Sequence, residues 1–169
     1  MALKYSTTTL LLMIVLLGAC LLACGVYTFS PSALGSTKNI AIPAFENRTT
    51  EYGLEDLITE GLSQQFVSDN TLKVVPESRA DLILVGAITS YTHDPYTYDA
   101  SETVQQYICR ISLGIKVKYA NSEKILWEDA NLSDFGIYSV IDGQTRDDGN
   151  QAAIDKLIRE IMNRTVGGW

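Results

Sequence analysis

Along residues 103–119, apolar and polar positions alternate. Tyr107, Cys109, Ile111, Leu113, Ile115, Val117 and Tyr119 fall on one face, and Gln106, Arg110, Ser112, Lys116 and Lys118 on the other. A period of two over this length predicts a strand with one buried and one solvated face. Residues 51–69 follow the helical period instead. There Leu54, Leu57, Ile58, Gly61, Leu62, Gln65 and Phe66 make one apolar stripe, as in a helix lying on a core. A second stripe of Ile154, Leu157, Ile158, Ile161 and Met162 predicts a closing helix, capped by Asp147 or Asp148.

Shorter signals fill the intervals. Residues 38–45, KNIAIPAF, read as a strand kept at an edge by Pro43. Residues 46–50 read as a loop, and 72–75 as a short strand stopped by Pro76. Residues 80–91 form a long strand whose centre, LILVG, is apolar on both faces, which places it inside the sheet under helices. The stretch THDPYTYDASE, 92–102, reads as a hairpin loop, and 125–138 as the last strand. This order predicts an α+β fold: a two-layer sandwich with two helices packed on one face of a mixed, largely antiparallel sheet of four to five strands. The face carrying Arg110, Lys116 and Lys118 would stay open.

The first 23 residues are of another kind. Lys4 is followed by a 14-residue apolar run, 10–23, too short for a hydrocarbon core that takes about 20 residues, but suited to a signal peptide. LLAC at 21–24 has the small residue before cysteine that lipoprotein signal peptidases need, and LGAC at 17–20 has it too. Cys24 is the preferred lipidation site because it leaves the longer apolar run. Residues 1–23 are then a leader that is removed. Residues 24–37 are a lipidated N-terminus and a Ser/Thr/Gly/Pro-rich tether, and 38–166 are a single domain. Gly25 replaces the aspartate that usually retains such proteins at the inner membrane, which favours the outer membrane.

Charge narrows the partners. The 169 residues carry 13 basic and 20 acidic side chains, a net −7, and loss of Lys4 with the leader takes this to about −8. An acidic surface argues against nucleic acid, whose phosphates need a concentrated positive patch.

Candidate chemistry is sparse. His93 is the lone histidine; with no nucleophile patterned beside it, it reads as a solvated loop residue next to Pro95. Cys109 lies on the apolar face of its strand and reads as a small core residue. Glu55/Asp56, Glu128/Asp129 and Asp147/Asp148 are acidic pairs, and those near helix starts are explained by the helix dipole. No catalytic residue, metal site or cofactor is expected. Two surface features invite a partner: Tyr96 and Tyr98 in the 92–102 loop, and the basic stripe Arg110, Lys116 and Lys118.

Five stretches together carry a family resemblance: CGVYTF at 24–29, IAIPAFENRTTEYGLEDLITEGL at 40–62, LKVV at 72–75, ADLILVGAITSYTHDPYTYD at 80–99 and KILWEDANLSDFGIYS at 124–139. They resemble the lipopolysaccharide-assembly lipoprotein (LptE) family over nearly all of residues 24–165. The resemblance implies a small α+β domain anchored in the outer membrane and facing the periplasm. It implies that the domain assembles and plugs an LptD-type β-barrel and takes part in lipopolysaccharide transport to the outer leaflet. It carries over no catalytic residue. The rival reading is a lipid-anchored accessory or activator subunit of another envelope complex, such as a cell-wall synthase or an ABC-type transporter; an envelope hydrolase is a third.

Overall fold

A computed structural model describes residues 37–167. The leader, Cys20, Cys24 and the tether up to 36 lie outside the described residues. Along the chain come strand β1 (Asn39–Ala41), strand β2 (Glu46–Asn47), helix α1 (Leu54–Asp69) and strand β3 (Lys73–Val74). A 3-10 turn (Glu77–Arg79) leads into β4 (Leu82–Tyr98), β5 (Val104–Tyr119), β6 (Ile125–Ser139) and helix α2 (Arg146–Val166). The sheet runs β3-β1-β4-β5-β6, with β2 pairing further along β4, so it has six strands where four to five were expected. The short strands β1 and β2 run parallel to β4, and β4, β5 and β6 form an antiparallel meander.

The helices cover one face only. In α1 the buried residues are Leu54, Ile58, Leu62 and Phe66, one per turn. Leu57 and Gln65, expected in the stripe, are exposed. In α2, Ile154, Leu157, Ile158, Ile161 and Met162 are all buried, as the period predicts. They meet Leu82, Leu84, Ile88, Ile111, Leu113 and Val117 of the sheet in one core. Each such side chain contributes about 1.5–3 kcal/mol on leaving water. Gly136 lets α2 come down onto β6: a Cβ there would run into the Gly149 carbonyl, closer than real Cβ atoms approach anything.

Several local expectations are corrected. The segment 38–45 pairs only over Asn39–Ala41, and Glu46 and Asn47, read as loop, form β2 beside Ala87 and Ile88. Helix α1 begins at Leu54, not at 51, because Gly53 takes a positive φ of 84° and Asn47 holds Glu51 O and Glu55 with its amide. Helix α2 is capped by Thr145 rather than by Asp147 or Asp148. Asp148 accepts the Thr145 backbone N–H at 2.7 Å in a capping box. Val85 in LILVG is 36% exposed, so β4 is inside the sheet but covered on one face.

The free edge of the meander is β6. Its Asn131 and Phe135 amides donate to Asp129 and Asp134, and Lys156 of α2 donates to the Phe135 carbonyl at 2.6 Å. At the other end of the fold, the Asp81 carboxylate fastens the incoming chain by accepting Lys38 N at 2.9 Å and Asn39 N at 3.0 Å. Those two bonds hold its pKa below the usual carboxylate value. A lowered folded pKa gives stability that is present above the unfolded value and lost as pH falls through the folded one. Asp81→Ala should therefore cost about 1 kcal/mol at pH 7, and the gap should narrow as pH falls from neutral through the acid range in which this carboxylate is protonated. Thermal melts of both proteins across that range test this, and a gap that persists at low pH would refute the clamp.

Candidate functional site

The uncovered face of the sheet is where Arg110, Lys116 and Lys118 project. Cross-strand register arranges it in rows. One row is Val85–Lys116–Glu128 and another is Thr92–Arg110–Phe135. Between them lie Ala87 beside Gly114 and Ser90 beside Ser112 and Ser133. Ala87, Gly114 and Ala130 are small, and there the face sinks into an open groove of about 500 Å³ reaching from Arg48 to Ala130. The sequence shows the small residues, but only the register of separate strands brings them side by side.

The stripe is less basic than its spacing suggests. Lys116 Nζ is 3.2 Å from Glu128, and the Arg110 guanidinium lies 5.3 Å from the Phe135 ring centre. Arg48 at the groove rim pairs with Glu46 at 2.8 Å. Such half-exposed pairs contribute little to stability, but they cancel field. Arg110 and Lys116 also sit six residues apart on one strand, roughly 20 Å at ~3.3 Å per residue. The structure does not bring Arg110, Lys116 and Lys118 onto a single anion.

Residues 92–98, read as loop, instead continue β4 against β5, with Pro95 opposite Tyr107 and Tyr98 opposite Val104. The true turn is 99–103. Asp99 holds it by accepting Ser101 N, Ser101 Oγ and Thr103 N, contacts that keep its carboxyl pKa low. The hairpin carries Tyr96 and Tyr98 outward, 51% and 58% exposed. Three more exposed side chains lie at this end and were not singled out from sequence: Tyr52, Val140 and Ile141. Val140 N bonds Gln105 O, and Tyr52 follows Glu51, which pairs with Arg146 at the head of α2.

His93 is corrected from loop to strand. It stacks on Tyr107 and Tyr138, with ring centres at 4.9 Å and 5.8 Å, and Nε2 lies 2.8 Å from Tyr138 Oη. Cys109 is its cross-strand neighbour and is fully buried. The Tyr91 hydroxyl donates to Asn150 Oδ1 at 3.0 Å, and the Cys109 sulfur lies 3.7 Å from its oxygen. Burial pushes the thiol pKa up, the opposite of what activates a nucleophile. Among the described residues, no three His, Cys, Asp or Glu side chains gather where they could hold a metal.

Comparison with known proteins agrees with this architecture. The family model for lipopolysaccharide assembly, LptE, matches residues 37–166. No curated protein matches. Among solved structures, a hypothetical protein from Chlamydia trachomatis aligns with a TM-score of 0.55 at 14% identity, over 79% of this chain and 98% of that one. The PelC dodecamer subunit of Paraburkholderia phytofirmans aligns at 0.50 with 9% identity, over 76% and 86%. A Xanthomonas campestris protein aligns at 0.50 with 13%, over 77% and 84%. At such identities the likeness is one of fold.

Proposed function

The chain belongs to the lipopolysaccharide-assembly (LptE) family, and from that membership we propose that it is a non-enzymatic outer-membrane lipoprotein, anchored through Cys24 and facing the periplasm. In this reading it assembles and plugs an LptD-type β-barrel and takes part in moving lipopolysaccharide to the outer leaflet. The observation that carries the reading is the reach of the family match, which takes in every described strand and helix.

The physics is compatible. The lumen of a large barrel is polar and wet, so a plug needs a charged, sparsely apolar exterior. The open sheet face offers that, with paired charges around a shallow groove. No helix among the described residues is long and apolar enough to cross a membrane, so the N-terminal lipid would be what holds the domain there. The raised thiol pKa of Cys109 and the tyrosine partners of His93 give no support to hydrolase chemistry. Tyr96, Tyr98, Arg110, Lys116 and Lys118 are the proposed barrel or lipopolysaccharide contacts. An enclosing wall spreads contact over several sides, so single substitutions should weaken assembly only partly.

Two measurements test the proposal. A tagged wild-type protein should co-purify with a large outer-membrane barrel. Depletion should lower the amount of correctly assembled barrel and let hydrophobic compounds through the outer membrane. Recovery of a cell-wall synthase or an inner-membrane complex, with normal barrel levels and an intact barrier after depletion, would decide for the accessory-subunit reading.

A further inference from the structure

Among the described residues, five of the nine exposed large apolar side chains lie at one end of the domain, in segments that carry acids and almost no basic residue. This is the end where β4 and β5 run past the helices. Tyr52, Tyr96, Tyr98, Val140 and Ile141 are between 43% and 92% exposed there. Around them, segments 93–107 and 138–148 carry Asp94, Asp99, Glu102, Asp142, Asp147 and Asp148, with Arg146 as the one Lys or Arg side chain. Arg146 is already taken by Glu51 at 3.4 Å. Asp94, Glu102, Asp142 and Asp147 make no ion pair among the described residues. The chain comes in at the opposite end, where Asp81 holds Lys38 and Asn39. The 17 residues of β4 separate the two ends, roughly 50 Å at ~3.3 Å per residue.

We infer that this distal end is a docking surface for a basic polypeptide segment, one bearing lysine or arginine on the inner wall of the barrel partner. The inference rests on the proposed function and names the chemistry of one contact within it. Exposed tyrosines and an isoleucine supply apolar area at small entropic cost, and a rim of unpaired carboxylates selects the sign of what meets it. A lipid phosphate or an acidic wall would be repelled by the same rim. Charges of this kind act mainly on the rate and specificity of encounter.

The test compares two charge reversals of equal size in the full-length, lipidated protein. One is Glu102→Lys with Asp142→Lys at the distal end. The other is Glu77→Lys with Glu123→Lys at the near end. Among the described residues none of these four side chains makes a hydrogen bond or ion pair, and thermal melts should show both proteins folded. The distal pair should recover about tenfold less barrel than wild type at physiological salt, and the near pair should recover as much as wild type. Equal recovery by both pairs would overturn the inference while leaving the proposed function standing. Failure of wild type itself to recover a barrel would sink both. A photoreactive residue placed at Ile141 gives a second reading. Crosslinks to a barrel peptide containing lysine or arginine support the inference; crosslinks to lipopolysaccharide, or to a peptide lacking both residues, refute it.

Discussion

Leu113→Asp should leave the domain unfolded at room temperature. Leu113 is fully buried in mid-β5 and belongs to the core that α1 and α2 close. A carboxylate there has no cation to meet and no route to water without opening the sheet. Burial of an unpaired charge costs several kcal/mol, and the methyl contacts are lost as well. The whole stability of such a domain is about 5–15 kcal/mol, so the substitution consumes most of it. Lys116→Asp, three residues on and facing the other way, is the control. It breaks one half-exposed pair with Glu128 and sets two carboxylates side by side, an effect of about 1 kcal/mol or less. Urea titrations followed by circular dichroism separate the two. A cooperative transition in Leu113→Asp near that of wild type would mean that the faces of β5 are assigned the wrong way round.

Cys24→Ala should release the protein from membranes altogether. Two or more acyl chains contribute about 0.8 kcal/mol for each buried methylene, so anchoring is close to all or none. Cys20→Ala should still take up labelled fatty acid and pellet with the membrane fraction. If instead labelling is lost in Cys20→Ala and kept in Cys24→Ala, the anchor belongs to LGAC and the tether is four residues longer.

How much of this was legible beforehand depended on whether a feature is local. The period-2 apolar face of β5 and the stripe of α2 are properties of single segments, and both are found; Ser112, expected on the solvated face, is instead buried against Ser133 of β6. The strand content of 92–98 was not visible. Thr92, His93, Asp94 and Pro95 show no alternation, and they are strand only because residues 107–110 lie beside them. Asp147 and Asp148 are the more conspicuous acids at the head of α2, yet Thr145-x-x-Asp148 has the spacing of a capping box, and Thr145 is the cap. The alternation of β5 places Arg110, Lys116 and Lys118 on one face, where the structure has them. What weakens that stripe, Glu128 beside Lys116, sits on the next strand. Tyr52, Val140 and Ile141 looked ordinary because exposure is decided by what fails to cover them.

The bonds along the outer edge of β6 bear on assembly of another kind. A 15-residue edge strand is a template on which a second strand can grow. Here Asp129 and Asp134 occupy two of the edge amides and Lys156 a carbonyl. These side chains interrupt the ladder that an incoming strand would need, so the sheet stops at β6. That edge is thereby guarded against pairing with a second strand. If the partner is the closed barrel proposed above, it presents no free edge either, and the two would touch through side chains and leave both sheets as they were.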